Sequence, residues 1–141
     1  MYDYIVCFYS IQVNCIMSII KKIPLNSPKD ERGFSWFPFN DFPQLKKKEL
    51  LNFHVAELKP GAVRGNHYHP LHTEYFLLCG SQIRLTVDDL KGNQEEETFL
   101  ISPEFLFIIP PDIKHTIENR GSKTGYFIGF FEGEGKVESV R

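Results

Sequence analysis

From Leu50 onward the chain is written in short apolar runs separated by turn residues, and within most runs apolar and polar positions alternate. Alternation of this kind has the period of a half-buried β-strand, not of a helix. It predicts strands over Leu50–Leu58, Arg64–His69, Glu74–Cys79, Gln82–Val87, Glu97–Ile101, Phe105–Ile109, His115–Asn119 and Tyr126–Phe131. The breaks between them carry turn chemistry. Lys59-Pro60-Gly61 ends the first run, Gly80-Ser81 reads as a Gly-X hairpin turn, Asp88–Asn93 as a hairpin loop, Ser102-Pro103 as a break and Arg120–Lys123 as a turn. Upstream, residues 24–48 mix five prolines and glycines with aromatics, which predicts turns and short strands, with one short helical turn around Phe42–Leu51. The Gly-rich, charged tail from Glu132 is expected to fray. Many short strands at regular spacing predict an all-β double-sheet jelly-roll barrel in a single domain. Ile83, Leu85 and Val87 share one face, and Phe76, Leu78 and Ile117 should point into the barrel with aromatics of Tyr126–Phe131. Tyr75, Leu77 and Cys79 then point outward. They are too apolar for an open surface, so a homodimer that covers them is expected.

Bulk properties narrow the function classes. The chain has 141 residues, enough for one core, and a net charge of −2 with acidic and basic residues interspersed. That offers no footprint for nucleic acid or an anionic membrane; Lys46-Lys47-Lys48 reads as a solvated loop or helix end. Thirteen Phe, six Tyr and one Trp suit a β-rich core or a carbohydrate-sized pocket. Cys7, Cys15 and Cys79 form no framework and no Cys-x-x-Cys, which fits a reducing, cytoplasmic compartment. Residues 1–23 read as an N-terminal extension or arm, ahead of a barrel domain over 24–141. The segment 1–16 lacks the basic start of a secretory signal, and its polar residues make a membrane span expensive. Met17-Ser-Ile-Ile-Lys-Lys resembles a natural start, so residues 1–16 are expected to come from a misplaced start codon or to form a loose arm.

The chemistry concentrates in two stretches, Gly61–Gly80 and Ile109–Asn119. On a strand His67 and His69 project to one face, with Tyr68 to the other. Glu74 opens the next run and can return to that face, and His115 opens another after Pro110-Pro111. Three imidazoles and a carboxylate from neighbouring strands make a facial site for a divalent first-row transition metal (Fe, Mn, Ni or Zn), with positions left for water or substrate. His72, in the turn between His69 and Glu74, reads as a rim residue, and His54 as a pocket wall or a satisfied core histidine; both are candidates for substrate contact.

This pattern resembles the cupin superfamily. Gly61, His67, His69, Glu74 and Gly80 fill its first motif, and Pro110, His115 and Asn119 match its second. Asp112 and Glu104 replace the two glycines of that second motif; Asp tolerates turn geometry, so the Asp112 change is mild. The two motifs cover under half of the chain. The resemblance implies the same metal set, His67, His69, Glu74 and His115, and a dimer.

A second resemblance concerns chemistry. Asp30-Glu31-Arg32-Gly33 and Arg64-Gly65-Asn66-His67-Tyr68 look like signatures of the nucleotide-sugar cupins, the 3,5-epimerases and 3,4-ketoisomerases of dTDP-4-keto-6-deoxysugars. By that resemblance His67 would be the catalytic base, Arg64 and Arg32 would hold the diphosphate, and Tyr126 would be a proton-donating partner. Arginine suits phosphate and histidine suits proton abstraction from carbon. The chain departs from the 3,5-epimerases at His69, where they have Gln, and at Phe34-Ser35-Trp36. A His67 that binds metal cannot also be a free base. The leading expectation is a metal-binding isomerase or epimerase of a keto sugar or nucleotide sugar. An iron-dependent dioxygenase and a non-catalytic ligand-binding cupin remain as alternatives.

Overall fold

A computed structural model of the protein describes residues 18–99 and 103–141. The N-terminal segment 1–16, Cys7, Cys15, and the end of the expected strand at Leu100 and Ile101 lie outside the described residues. The elements are β1 (Lys21–Pro24), β2 (Lys29–Asp30), β3 (Gly33–Phe34), a helical turn α1 (Pro38–Asp41), a 3-10 helix (Pro43–Lys47), β4 (Leu50–Leu58), β5 (Val63–His67), β6 (Thr73–Cys79), β7 (Ile83–Asp88), β8 (Gln94–Phe99), β9 (Phe105–Ile109), β10 (Lys114–Asn119) and β11 (Gly125–Glu132). β1, β9, β6, β11 and β4 form one antiparallel sheet in that order, β5, β10, β7 and β8 form a second, and β2 and β3 pair separately as a short ribbon. The first two sheets are the two layers of the expected all-β jelly roll. No helix among the described residues is long and apolar enough to cross a membrane.

The inward residues pack as anticipated. Phe76 and Leu78 of β6, Ile83, Leu85 and Val87 of β7, Phe107 and Ile109 of β9, Ile117 of β10 and Phe127 of β11 form one buried cluster between the sheets. Strand alternation delivers every second side chain to that cluster, and burial of its apolar surface is the main driving force for closing the sheets.

Four details differ from the sequence reading. The short helical segment ends before β4: α1 and the 3-10 helix each start at a proline, which sets the helical φ, and the chain is extended again by Leu50. Gly80-Ser81 does not close a hairpin, because β6 and β7 belong to different sheets. The turn there crosses between layers, and a side chain at Gly80 (φ +87°) would lie 2.8 Å from the Thr124 carbonyl oxygen. The expected boundary after residue 23 falls inside β1, which pairs with β9 from Lys21 to Pro24, while Glu95 accepts the Ile19 and Ile20 amides. Finally, the outward apolar face of β6 is covered by this chain. Tyr75 and Leu77 pack with Leu45, Leu106 and Phe130, joined by Ile23, Leu25, Trp36, Phe42 and Leu50. That cover removes the reason the sequence offered for a homodimer.

Asn119, at the end of β10, joins several loops of the barrel. Its amide nitrogen donates to the carbonyls of Leu58 (2.8 Å) and Lys123 (2.7 Å). Its oxygen accepts from the Ser81 hydroxyl (2.8 Å) and the Gly121 amide (3.0 Å). The side chain is fully buried. Asn119→Ala would leave several of these groups without a partner, at about 1–3 kcal/mol for each one that water cannot reach. The expected result is a loss of roughly 2–4 kcal/mol in denaturant unfolding, and an unchanged midpoint would refute the account. Asn119→Asp should be worse, since a carboxylate oxygen would face two carbonyls.

Candidate metal centre

His67 ends β5, His115 lies on β10 directly across from it in the register, Glu74 is on β6 of the opposite sheet, and His69 sits in the loop joining the two layers. The site therefore spans the barrel between its sheets. β5 reaches it through a distortion. Gly65 (φ +80°) and Asn66 (φ 57°) are both left-handed, and the β5–β10 register slips between His115 and Thr116. A Cβ at Gly65 would come within 2.8 Å of the His115 carbonyl oxygen, so only glycine permits this approach. The turn before β10 is tied to the same place: Asp112 adopts φ 62° and its amide donates to the His69 carbonyl (3.1 Å). Asp112 thus supplies the left-handed turn that glycine would otherwise provide.

The ligand-type nitrogens of His67, His69 and His115 all lie within 4.8 Å of one another. Glu74 Oε2 is 2.9 Å from His115 Nε2 and 3.4 Å from His69 Nε2. His69, Glu74 and His115 are buried, and His67 is half-buried. The structure brings all four expected ligands together.

The tautomer of His69 bears on which group the cluster fits. Its Nδ1 is 2.7 Å from the Glu138 carbonyl oxygen, which can only accept, so Nδ1 carries the proton. In the neutral ring, Nε2 then presents a lone pair toward a buried carboxylate oxygen. Neither His69 Nε2 nor Glu74 Oε2 makes a hydrogen bond of normal geometry. Two facing acceptors in a buried place call for a cation between them. Titration behaviour marks the same gap, for a proton as much as for a metal ion. Burial works against charge on both groups, yet their mutual contacts outweigh it: Glu74, beside His115 and His69, is held well below the usual carboxylate range, and His69 is raised by Glu74 and the Glu138 carbonyl. His67 is pushed down to about 4 by burial and then by the facing His115 and His69 rings, so it is a neutral donor at pH 7. Three imidazoles and a carboxylate in this state fit a divalent first-row ion.

A cavity of about 170 Å³ opens on the cluster, lined by His54, Ala56, Arg64, Gly65, His67, Glu74, His115, Ile117 and Phe127. A wider cleft of about 480 Å³ meets the same donors from the side of Asn52, Phe53, Phe131, Val137 and Ser139. Arg64 is anchored through Nε to the Glu57 carbonyl (2.9 Å), which leaves the rest of its guanidinium fork for a ligand. His54 is a wall of both spaces.

Three expected site residues lie elsewhere. Arg32 is exposed in the β2–β3 turn, paired with Asp30, and lines a separate surface depression with Phe34 and Phe37. Asp30 is a local partner two residues away, so the turn uses the guanidinium itself. Tyr126 alternates with the inward Phe127 on β11 and is exposed on the outer side of the sheet. His72 is buried, and its Nε2 donates to the Glu134 carbonyl (2.9 Å), so it holds the tail and lines neither space.

The tail itself is the main element that sequence reasoning missed. It does not fray. Gly133 donates to the Glu49 carbonyl, the Glu134 and Glu138 carbonyls hold His72 and His69, and Tyr68 and Val140 exchange both backbone hydrogen bonds at 2.9 Å. Val137 and Ser139 thereby form one wall of the cleft. Most of these anchors are backbone groups, which every residue carries, so the sequence shows no signal for them.

A family model described as a cupin domain matches residues 54–131, more than half of the chain and all four ligand positions. The chain belongs to the cupin family. No curated protein sequence matches this cupin. Solved structures share its fold. A dTDP sugar isomerase from Desulfovibrio desulfuricans G20 superposes with a TM-score of 0.71 at 17% identity, over 88% of this chain and 85% of that one. A sugar 3,4-ketoisomerase from Thermoanaerobacterium thermosaccharolyticum, in complex with TDP, gives 0.66 at 10% identity over 86% and 85%. A dTDP-4-dehydrorhamnose 3,5-epimerase from Sulfolobus tokodaii gives 0.64 at 17% identity over 85% and 73%. At these identities the likeness is one of fold.

Proposed function

We propose that this cupin is a metal-dependent isomerase or epimerase acting on a keto sugar or its nucleotide derivative. The observation that carries the proposal is the gathering of three histidines and Glu74, three of these four side chains buried, beside a cavity whose wall includes Arg64 with most of its guanidinium unbonded. The cavity and its adjoining cleft are of the size that admits a small ligand. The shared fold with dTDP-sugar enzymes favours a sugar over other carbonyl compounds.

His67, His69, Glu74 and His115 would hold the ion, and a divalent ion there supplies Lewis acidity to a carbonyl or hydroxyl oxygen. The protein does the rest. The Arg64 fork binds the anionic part of the ligand at the cavity wall. Phe127, Phe131 and Val137 keep the reacting region partly dry, which strengthens every polar contact made inside.

The test is incubation of the metal-loaded protein with dTDP-4-keto-6-deoxyglucose in D₂O. Deuterium should appear on carbon beside the ketone; no incorporation would end the keto-sugar reading. Arg64→Ala should weaken binding of the same compound roughly 10-fold or more, the worth of one charge-assisted hydrogen bond. Its metal content should not change. Unaltered affinity would remove Arg64 from the ligand site.

A further inference from the structure

All four histidine and glutamate donors at the centre are committed to the ion, so proton transfer at carbon needs another group. We propose that His54 is the catalytic base of this pocket; the inference rests on the keto-sugar reading above.

His54 is on β4, on the inward side with Ala56 and Leu58, and lines both the cavity and the cleft. Its Nδ1 is 2.8 Å from the Asn52 carbonyl oxygen, two residues back in the same strand. A carbonyl has no proton to give, so Nδ1 donates and the neutral ring carries its lone pair on Nε2. His54 makes no other hydrogen bond among the described residues. The ring is held in place by aromatic contacts, with its centroid 5.1 Å from Phe127 and 6.0 Å from Phe131, nearly parallel to the latter at 11°. A fixed tautomer, a fixed ring and an unspent lone pair at the wall of a cavity are what a general base requires.

The strand is distorted to achieve this. Asn52 sits at φ 52°, and the β4–β11 register slips between Gly129 and Phe131, opposite Leu51–His54. β4 is the edge strand of its sheet, and a regular edge strand points its unpaired carbonyls outward, away from its own side chains. The bulge instead makes the Asn52 carbonyl available to a side chain of its own strand. Left-handed backbone outside glycine is costly enough to be sparse, and it concentrates at functional sites. The distortion and the imidazole it orients are thus one device.

The step is redox-neutral. His54 Nε2 takes the proton from a carbon next to the ketone. The C–H bond breaks and an N–H bond forms, the C–H electron pair becomes the C=C bond, and the carbonyl π pair moves to oxygen. Delivery of a proton from water in the open cleft to the opposite face of that carbon, with His54 giving up its own proton to solvent, gives the epimer. Delivery of the abstracted proton to the former carbonyl carbon, with loss of the neighbouring hydroxyl proton, gives the isomeric ketone.

The experiment is deuterium incorporation from D₂O into dTDP-4-keto-6-deoxyglucose, with metal content and binding of the same compound measured in parallel. His54→Gln is expected to slow incorporation roughly 100-fold or more, with metal content and affinity unchanged. Added imidazole should restore part of the rate to His54→Ala. Incorporation by His54→Gln at the parent rate would overturn the inference and leave the keto-sugar reading intact. A metal-loaded parent that incorporates no deuterium would overturn both. If His54→Gln folds poorly, Asn52 decides. Asn52→Gly keeps the left-handed carbonyl and should retain the rate, whereas Asn52→Val cannot hold φ 52° and should lose it. Equal rates in these two variants would overturn the inference.

Discussion

His115→Ala should yield a folded protein that retains little metal. His115 Nε2 is the closest nitrogen to Glu74 Oε2, at 2.9 Å, and it comes from the strand directly paired with β5. If a structural-type site of about 10–16 kcal/mol is shared over four ligands, each carries roughly 3–4 kcal/mol, which corresponds to a 100- to 1000-fold loss of affinity. The substitution also removes the largest influence holding Glu74 ionised, so the remaining donors are weakened together. Elemental analysis of protein purified without chelator or nickel resin reads the result directly. Near one equivalent in the parent and little in His115→Ala, and likewise in His69→Ala, is the expected outcome. Full metal in either variant would mean that the ion lies elsewhere.

Removal of residues 133–141 should lower metal affinity about 10- to 100-fold, although it deletes none of the four ligands. The reason is the Glu138 carbonyl, which fixes the proton of His69 on Nδ1 and so directs the Nε2 lone pair at the ion. Ser139 Oγ, 3.3 Å from the same nitrogen, adds a second oxygen to that environment. Without the tail the His69 ring can rotate or take the other tautomer, and the wall formed by Val137 and Ser139 is lost. Titration of the chelator-competed ion into full-length and shortened proteins measures the difference, with strand content followed by circular dichroism. Equal affinities would reduce the tail to packing.

The strands were largely legible because alternation survives translation into structure. Leu50–Leu58 and Phe105–Ile109 have the bounds that their apolar patterns suggest, and Ile83, Leu85 and Val87 are all fully buried. The four ligands were legible for a related reason. Strand parity suggests that His67 and His69 share a face; β5 ends at His67 and His69 follows in the loop, yet the two rings still meet with centroids 4.8 Å apart. Residues that serve a local turn misled. Arg32 reads as an anion anchor in sequence, but Asp30 sits two residues away and takes it. Tyr126 fails on parity alone, since its neighbour Phe127 is the inward one.

The sequence by itself determined the fold class, the inward face of most strands and the four side chains that cluster between the sheets. All of these follow from side-chain chemistry repeated at a fixed period. Only the tertiary structure decided which sheet each donor comes from, that the tail closes the site, that the chain covers its own outer face, and that His54 is oriented by Asn52. Those outcomes depend on backbone carbonyls, on left-handed residues such as Asn52, Gly65, Asn66 and Asp112, and on contacts between segments about 60 to 80 positions apart, such as Glu138 with His69 and Glu132 with Tyr75. Backbone groups are the same at every residue, so their partners are chosen by packing and leave no mark in the order of side chains.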